Sequence, residues 1–555
     1  RQPLPYRWPP RIIFNTDGCL VFKYLKRRNP DDVTAMMAPL AGTAVDVVSV
    51  LVGINDDLSW PGSPHGELWG ETMAAAPEGM APSDLLQKNL AAMVEDGHDV
   101  FQLYVDRARQ VGLGIYASFR MNDAHRNMEH RIADGRRSSL MLNRPDLLIG
   151  SPAPEGTTGY GKEFNFSWQW DYARPEVRDR FLGLFDETIG RYDVDGLELD
   201  FCRAPPFFKP HQGFRQTATM TEFMRRARET ARRGAARKGR DVKLCCRVPC
   251  SFDACMELGL DPETWIENGL VDIAVISSSG GWQLEMDVDR AVAAAEKGGA
   301  LVYVGSAGTY KASPQEGYES GQPSLRRAIA LNGYRRGAAG VHLFNHDYAN
   351  HRAQPVAEGD ASDMPLVEPP PLYSGLRGAF DSDRFTRKDL QTLRDLGDPQ
   401  ALARLDRCYH LNDGTNLGDF PPQLPRLLAL TGRGAGEAHA LRLLIEDDID
   451  GGRADGRIAG TELRLRLTGH ERCLPRIRCE VNGGRVDLLS ARKVANSLGE
   501  EWLVVDDPPL RRGENRVLVV IEGFEQPEGY VQKGPAPGPG WPALHQCELL
   551  VRCAG

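Results

Sequence analysis

No apolar run in this chain of 555 residues reaches the roughly eighteen residues that a membrane-spanning helix needs. Nothing beyond peripheral attachment to a membrane is expected. Positive charge is also scarce: 67 Lys and Arg stand against 76 Asp and Glu, a net charge of −9, which leaves no general basic surface for a phosphate backbone. Nucleic acid is therefore excluded as an expected partner. The most basic run, RRARETARRGAARKGRDVK (225–243), has helical composition and reads as the solvated face of a helix.

Other signals are missing too. No GxGxxG follows the first apolar run, and neither an HExxH pair nor an EF-hand loop occurs, so no cofactor is assigned and no residue is given to a metal. A divalent cation held by Asp and Asn stays open. The 11 cysteines are an odd number, and Cys245, Cys246, Cys250 and Cys255 lack the two matched pairs of a zinc ribbon. They read as buried thiols, which favours a reducing compartment. The chain opens on Arg1 and not on Met, which leaves export open. There is no repeat of fixed period and no low-complexity tract.

The length points to two or three domains and does not set an oligomeric state. Apolar, strand-like runs occur at 11–18, 44–53, 112–123, 195–204, 242–251, 271–280, 300–308 and 340–348, with helical segments after most of them. Eight such units predict a closed (β/α)8 TIM barrel over residues 1–385, class α/β. A helical or irregular connector is expected over 386–424. Short strand-like runs separated by turn residues over 425–555 predict an all-β sandwich, given a structural or glycan-contacting role.

Within YDVDGLELDFCRAP (192–205), Glu198 and Asp200 share one face of the fourth strand, because side chains alternate along a strand. A carboxylate among the helices would be hard to satisfy, so both are expected to point into the barrel. Asp200 then lies toward the carboxyl end with Glu198 one layer beneath. Arg120 and Arg247 on the flanking strands are expected to neutralise one carboxylate and leave the other for proton transfer or nucleophilic attack. Polar residues gather where the strands end, the face that builds barrel active sites: Asn15, Asp17, Arg120, Asn122, Asp123, Arg203, Arg247, Asn345, His346 and Asp347, with His125 nearby. Two long loops, 56–71 with Trp60 and 121–175 with FNFSWQWDY, offer aromatics that could stack on sugar rings or pack the loops down.

Paired carboxylates in an open pocket suit glycoside hydrolysis, one protonating the leaving oxygen and one attacking or activating water. Asp200 is the first catalytic candidate. Its partner is Glu198 or one of Asp17, Asp123 and Asp347, the remaining residues binding or orienting a carbohydrate. A noncatalytic glycan-binding barrel, a lyase and a metal-assisted hydrolase remain alternatives.

The segment FNFSWQWDYARPEVRDRFLGLFDETIGRYDVDGLELDFCRAP (164–205) resembles the glycosyl-hydrolase-like barrel proteins of family ten. Their helix start matches Pro175 to Asp179, their R-Y-D-V-D-G matches Arg191 to Gly196, and their Asp matches Asp200, with Arg203 and Pro205 in the closing R-x-P. The resemblance implies a bacterial glycan-cleaving enzyme, some relatives of which act on peptidoglycan as exported lipoproteins. Two positions depart from it: His often stands in the family where Glu198 stands here, and a second acid where Phe201 stands.

Overall fold

The computed structural model describes residues 4–16, 30–34, 36–69, 90–123, 138–150, 168–203, 205–277, 284–306, 323–344, 387–412, 428–429, 439–468, 474–495, 501–521 and 543–554. Ten strands form the first sheet: β1 (Ile12–Thr16), β2 (Val45–Ile54), β3 (Asp57–Leu58), β4 (Glu67–Leu68), β5 (Gly114–Arg120), β6 (Gly196–Asp200), β7 (Lys243–Pro249), β8 (Ile273–Ser277), β9 (Leu301–Ser306) and β10 (Gly340–Leu343). Eight of them pair in parallel around a ring, β1-β2-β5-β6-β7-β8-β9-β10, and β10 returns to β1. This is the closed barrel, and each of the eight strand-like runs supplies one stave. The short β3 and β4 extend the carboxyl end of β2.

Alternation sorts the side chains. Leu197 and Leu199 of β6 face the helices and join the large apolar shell, while Gly196, Glu198 and Asp200 face inward. Inside, a smaller apolar plug of Tyr6, Ile13, Val47, Tyr116, Cys245, Ile273, Val275 and Tyr303 fills the amino-terminal half. Tyr6 and Tyr116 close it with a 3.0 Å bond between their hydroxyls. Gly196 has to be glycine there, since a Cβ would come within 2.8 Å of the Lys243 carbonyl and 2.9 Å of the Tyr116 ring.

The helices carry ordinary sequence signals. Val100–Val111 starts after Asp99, whose carboxylate accepts from the Gln102 amide at 3.2 Å, and stops at left-handed Gly112. Pro175–Arg191 has Pro at its first position, Glu176 in the first turn and Arg191 in the last. The basic run lies in Thr217–Lys238 and its continuation, where Arg225, Arg226, Arg232 and Arg233 are exposed as a solvated face.

The second module begins earlier than 425. Two helices, Arg387–Leu396 and Pro399–Leu402, lead into strand β11 (Arg407–Asn412), which pairs with the last strand and so belongs to the sandwich. The helical periodicity ends at Leu402, and Arg407 to His410 are all buried, as strand residues covered on both faces are. The remaining strands are β12 (Leu428–Ala429), β13 (His439–Ile445), β14 (Ile458–Thr468), β15 (Ile477–Val481), β16 (Gly484–Val486), β17 (Arg492–Ala495), β18 (Glu501–Asp506), β19 (Gly513–Ile521) and β20 (Ala543–Cys553). They form two antiparallel sheets, β11-β20-β14-β18-β17 with β12 on β20, and β13-β19-β15-β16. Buried Asn332, on the barrel helix Pro323–Arg335, joins the modules: its amide donates to the Leu444 carbonyl at 2.8 Å and accepts from the Glu446 amide at 3.0 Å.

At the amino-terminal end of β6, buried Asp195 accepts from the Ile115 amide at 2.9 Å, from Arg109 at 2.7 and 3.0 Å and from Arg240 at 2.6 Å. Removing its charge leaves the Ile115 amide without an acceptor and the two arginines with Asp193 as their remaining carboxylate. We expect Asp195→Ala to lower the unfolding free energy by about 3 kcal/mol or more, read from urea titrations; a loss under about 1 kcal/mol would show that the arginines are held elsewhere.

Candidate active site

Three neighbouring strands build the floor of the barrel mouth. In register, Arg120 of β5 stands beside Asp200 of β6, which stands beside Arg247 of β7; one layer down come Ser118, Glu198 and Cys245. Both carboxylates point inward and are stacked as the alternation requires.

Asp200 is the one neutralised. The Arg247 guanidinium gives one nitrogen to both its oxygens, at 2.9 and 3.0 Å, and the Cys202 amide donates to it at 2.9 Å. Arg247 is fully buried and Asp200 is 1% exposed. Arg247 is held further by the Ser277 hydroxyl at 3.3 Å and by the Phe344 ring, whose centroid lies 3.8 Å from the guanidinium carbon. Burial acts to lower Arg247, but Asp200 outweighs it and keeps the guanidinium above its ordinary value. Arg120 bonds Asp123 at 3.0 Å, and Arg203 approaches the same Asp123 oxygen at 3.9 Å.

Glu198 is enclosed rather than poised. Asn15 donates to Oε1 at 2.7 Å, the Ser118 hydroxyl donates to it at 2.9 Å, and His342 Nε2 lies 2.9 Å from Oε2. Burial pushes this carboxyl up, but the charge and hydrogen bond of His342, with the Ser118 hydroxyl, more than offset it and hold Glu198 below its ordinary value. With β10 four staves from β6, the Glu198 to His342 bond spans the barrel interior.

Two expected ligand contacts are corrected. Trp60 does not reach the rim as a stacking platform: it is fully buried among Phe101 and Tyr192, its indole donating to Glu187 at 3.1 Å. Its ring is large and apolar enough to anchor the loop against the helix layer. Asn122 spends its amide on the chain itself, donating to the carbonyls of Trp170 (3.1 Å) and Pro206 (2.9 Å) and accepting from the Trp170 amide at 3.0 Å. It clasps two loops together. Trp170 and Tyr172 of FNFSWQWDY are likewise buried. Asp17, His125, Asn345, His346 and Asp347 lie outside the described residues.

His342 was not among the sequence candidates, although the parity of GVHL in the eighth strand aims it inward. Asp171 was also missed. It sits on the clasped segment, 2% exposed, and burial raises its carboxyl against the opposing Ala173 amide and the charges of Lys209, Arg174 and Arg178. The cysteines Cys245, Cys246, Cys250 and Cys255 are buried thiols, and burial pushes the Cys246 thiol up to about 12. That makes it inert at neutral pH.

No family model matches this chain, and no curated protein matches it in sequence. Similar solved structures include a cycloisomaltooligosaccharide glucanotransferase from Paenibacillus sp., at 9% identity, TM-score 0.35, with 97% of this chain covering 57% of that chain. Another is a maltogenic alpha-amylase, AmyB, from Thermotoga neapolitana, at 12% identity and TM-score 0.35, with 92% of this chain and 99% of that one covered. A third is the PgaB (BpsB) glycoside hydrolase domain from Bordetella bronchiseptica, at 11% identity and TM-score 0.34, covering 60% and 93% respectively. These likenesses are too loose to argue from, and the barrel rests on its own strand pairing.

The enclosure of Glu198 has a pH signature. Its native value lies below the ordinary 4.5, so the stability it contributes is present above the unfolded value and is lost as pH falls through the native one. From about pH 7 to about pH 3, the urea midpoint of Glu198→Gln should fall less than that of the wild type. Equal falls would mean that Glu198 does not contribute to acid sensitivity.

Proposed function

We propose that this chain is a glycoside hydrolase acting on a poly- or oligosaccharide at the carboxyl-terminal mouth of its barrel. The observation that carries the reading is the pair of buried aspartates, Asp200 ending β6 and held by Arg247 of the neighbouring β7, and Asp123 just past β5 and held by Arg120 at the end of that strand. Charged groups withdrawn from water at that end of a barrel are costly to keep and characteristic of chemistry.

In this reading Asp200, its charge balanced by Arg247, is the carboxylate that attacks the anomeric carbon or activates water. Asp171, buried on the segment that Asn122 clasps beside the end of β5, with its carboxyl raised by burial, is given the proton-donor role. Glu198, enclosed by Asn15, Ser118 and His342, orients the floor instead of meeting the sugar. Arg120, Asp123 and Arg203 are binding groups. The family-ten resemblance over 164–205 supports the same substrate class, with no finer choice of sugar or linkage.

One observation favours a second reading, a glycan-binding barrel without turnover: the carboxylate oxygens of Asp200 are already engaged by Arg247 and the Cys202 amide. The two readings part on one experiment. Against a panel of bacterial and algal polysaccharides, wild-type protein should release reducing ends, and Asp200→Asn, folded to the same circular dichroism, should release them about 100-fold more slowly or worse. Glycan binding by both proteins with release by neither would replace the hydrolase with the binding barrel.

A further inference from the structure

Buried polar side chains almost always find a hydrogen-bond partner, so those that do not ask for an explanation. In the carboxyl half of this barrel several such atoms lie from β1 to just past β3 and on the segment clasped beside β5. Asn15 Oδ1 on β1, both amide atoms of Asn55 after β2, Ser59 Oγ after β3 and the Trp170 indole Nε1 are all buried with no partner among the described residues.

Asn55 is the sharpest case. It lies at the tip of a two-residue hairpin in which Ile54 pairs with Asp57, yet it is 0% exposed, where hairpin tips are ordinarily solvated. Its backbone is left-handed, at φ 57°, a conformation that Asn tolerates and that often accompanies functional sites. The backbone is tied down, the Asn55 amide donating to the Arg120 carbonyl at 3.2 Å. The neighbouring Asp56 is engaged by Arg180 at 3.0 Å. The Asn55 side chain, with one acceptor and two donor hydrogens, has no partner among the described residues. Trp170 flanks the same strand end, its backbone clasped by Asn122 two residues past Arg120. The Asn55 amide and the Trp170 indole N–H are thus two uncharged groups without partners among the described residues.

We propose that Asn55 and Trp170 are ligand-binding residues at the rim between β2 and β5, taking a neutral polyhydroxyl group whose hydroxyls both give and accept hydrogen bonds. This deepens the glycan-cleaving reading and rests on it: within that reading the ligand is a sugar ring, and these side chains complete their bonds only when it is seated.

The assignment predicts an unusual pairing of effects. Asn55→Gly suits the left-handed backbone and removes bonds that the free protein does not make, so its ligand-free melting midpoint should not fall. Trp170→Phe keeps the ring and deletes the N–H. Calorimetric titration with maltohexaose, cellohexaose, xylohexaose and chitohexaose should show wild-type binding to at least one of them. For that sugar Asn55→Gly should bind about tenfold more weakly, and Trp170→Phe also more weakly. Unchanged affinity in both variants would overturn the assignment while leaving the glycan reading intact, and so would a melting midpoint lowered in step with affinity, the mark of a structural role. Wild-type protein that binds none of the four would remove the carbohydrate reading, and this subsite with it.

Discussion

A carboxylate at the centre of a barrel cannot be left alone, because an unpaired buried charge costs far more than a domain of this kind can spare. Glu198 meets that constraint by drawing in side chains from around the ring: Asn15 from β1, Ser118 from β5 and His342 from β10. The bond to His342 reaches from one wall to the opposite one, so it sets the width of the interior at that level. Everything above is stacked on this layer. Arg120, Asp200 and Arg247 are the next inward positions of the neighbouring strands β5, β6 and β7, and a slip of one residue in any of them would turn its polar groups into the apolar helix layer.

The two ends of the barrel are built on different principles. The amino-terminal half is closed by the Tyr6 and Tyr116 contact, by apolar packing and by the Asp195 network, in which each bond of that carboxylate goes to a group on a neighbouring element. The carboxyl-terminal half carries the Asp200–Arg247 and Asp123–Arg120 pairs and polar atoms without partners among the described residues. Apolar closure at one end and polar groups toward the mouth at the other are thus segregated along the strand direction.

How much of this could be read from the residues follows from what each signal depends on. Strand count and closure came from runs such as AVDVVSVLVG and VDIAVISSSG, whose apolar content is local and needs no partner to interpret. The inward stacking of Glu198 and Asp200 came from parity alone. Which carboxylate Arg247 would choose was not local, because it depends on strand stagger, and that choice left Glu198 to His342. Trp60 was misplaced for a similar reason: its neighbours SWPGSPHG suggest an exposed loop, and only the tertiary fold brings Phe101, Tyr192 and Glu187 around the indole. The start of the sandwich at β11 was hidden because its pairing partner, β20, lies at the far end of the chain.

Asn332 has a consequence for how the two modules can be separated. Its amide lies on the helix that leads from β9 into β10, the stave bearing His342, and it closes two bonds onto the backbone between β13 and the following helix. Cutting the chain between barrel and sandwich would therefore not yield a barrel with a finished outer surface. It would uncover a helix whose buried polar group was shaped for a neighbour, so the boundary between the modules in sequence is not a boundary in the folded material.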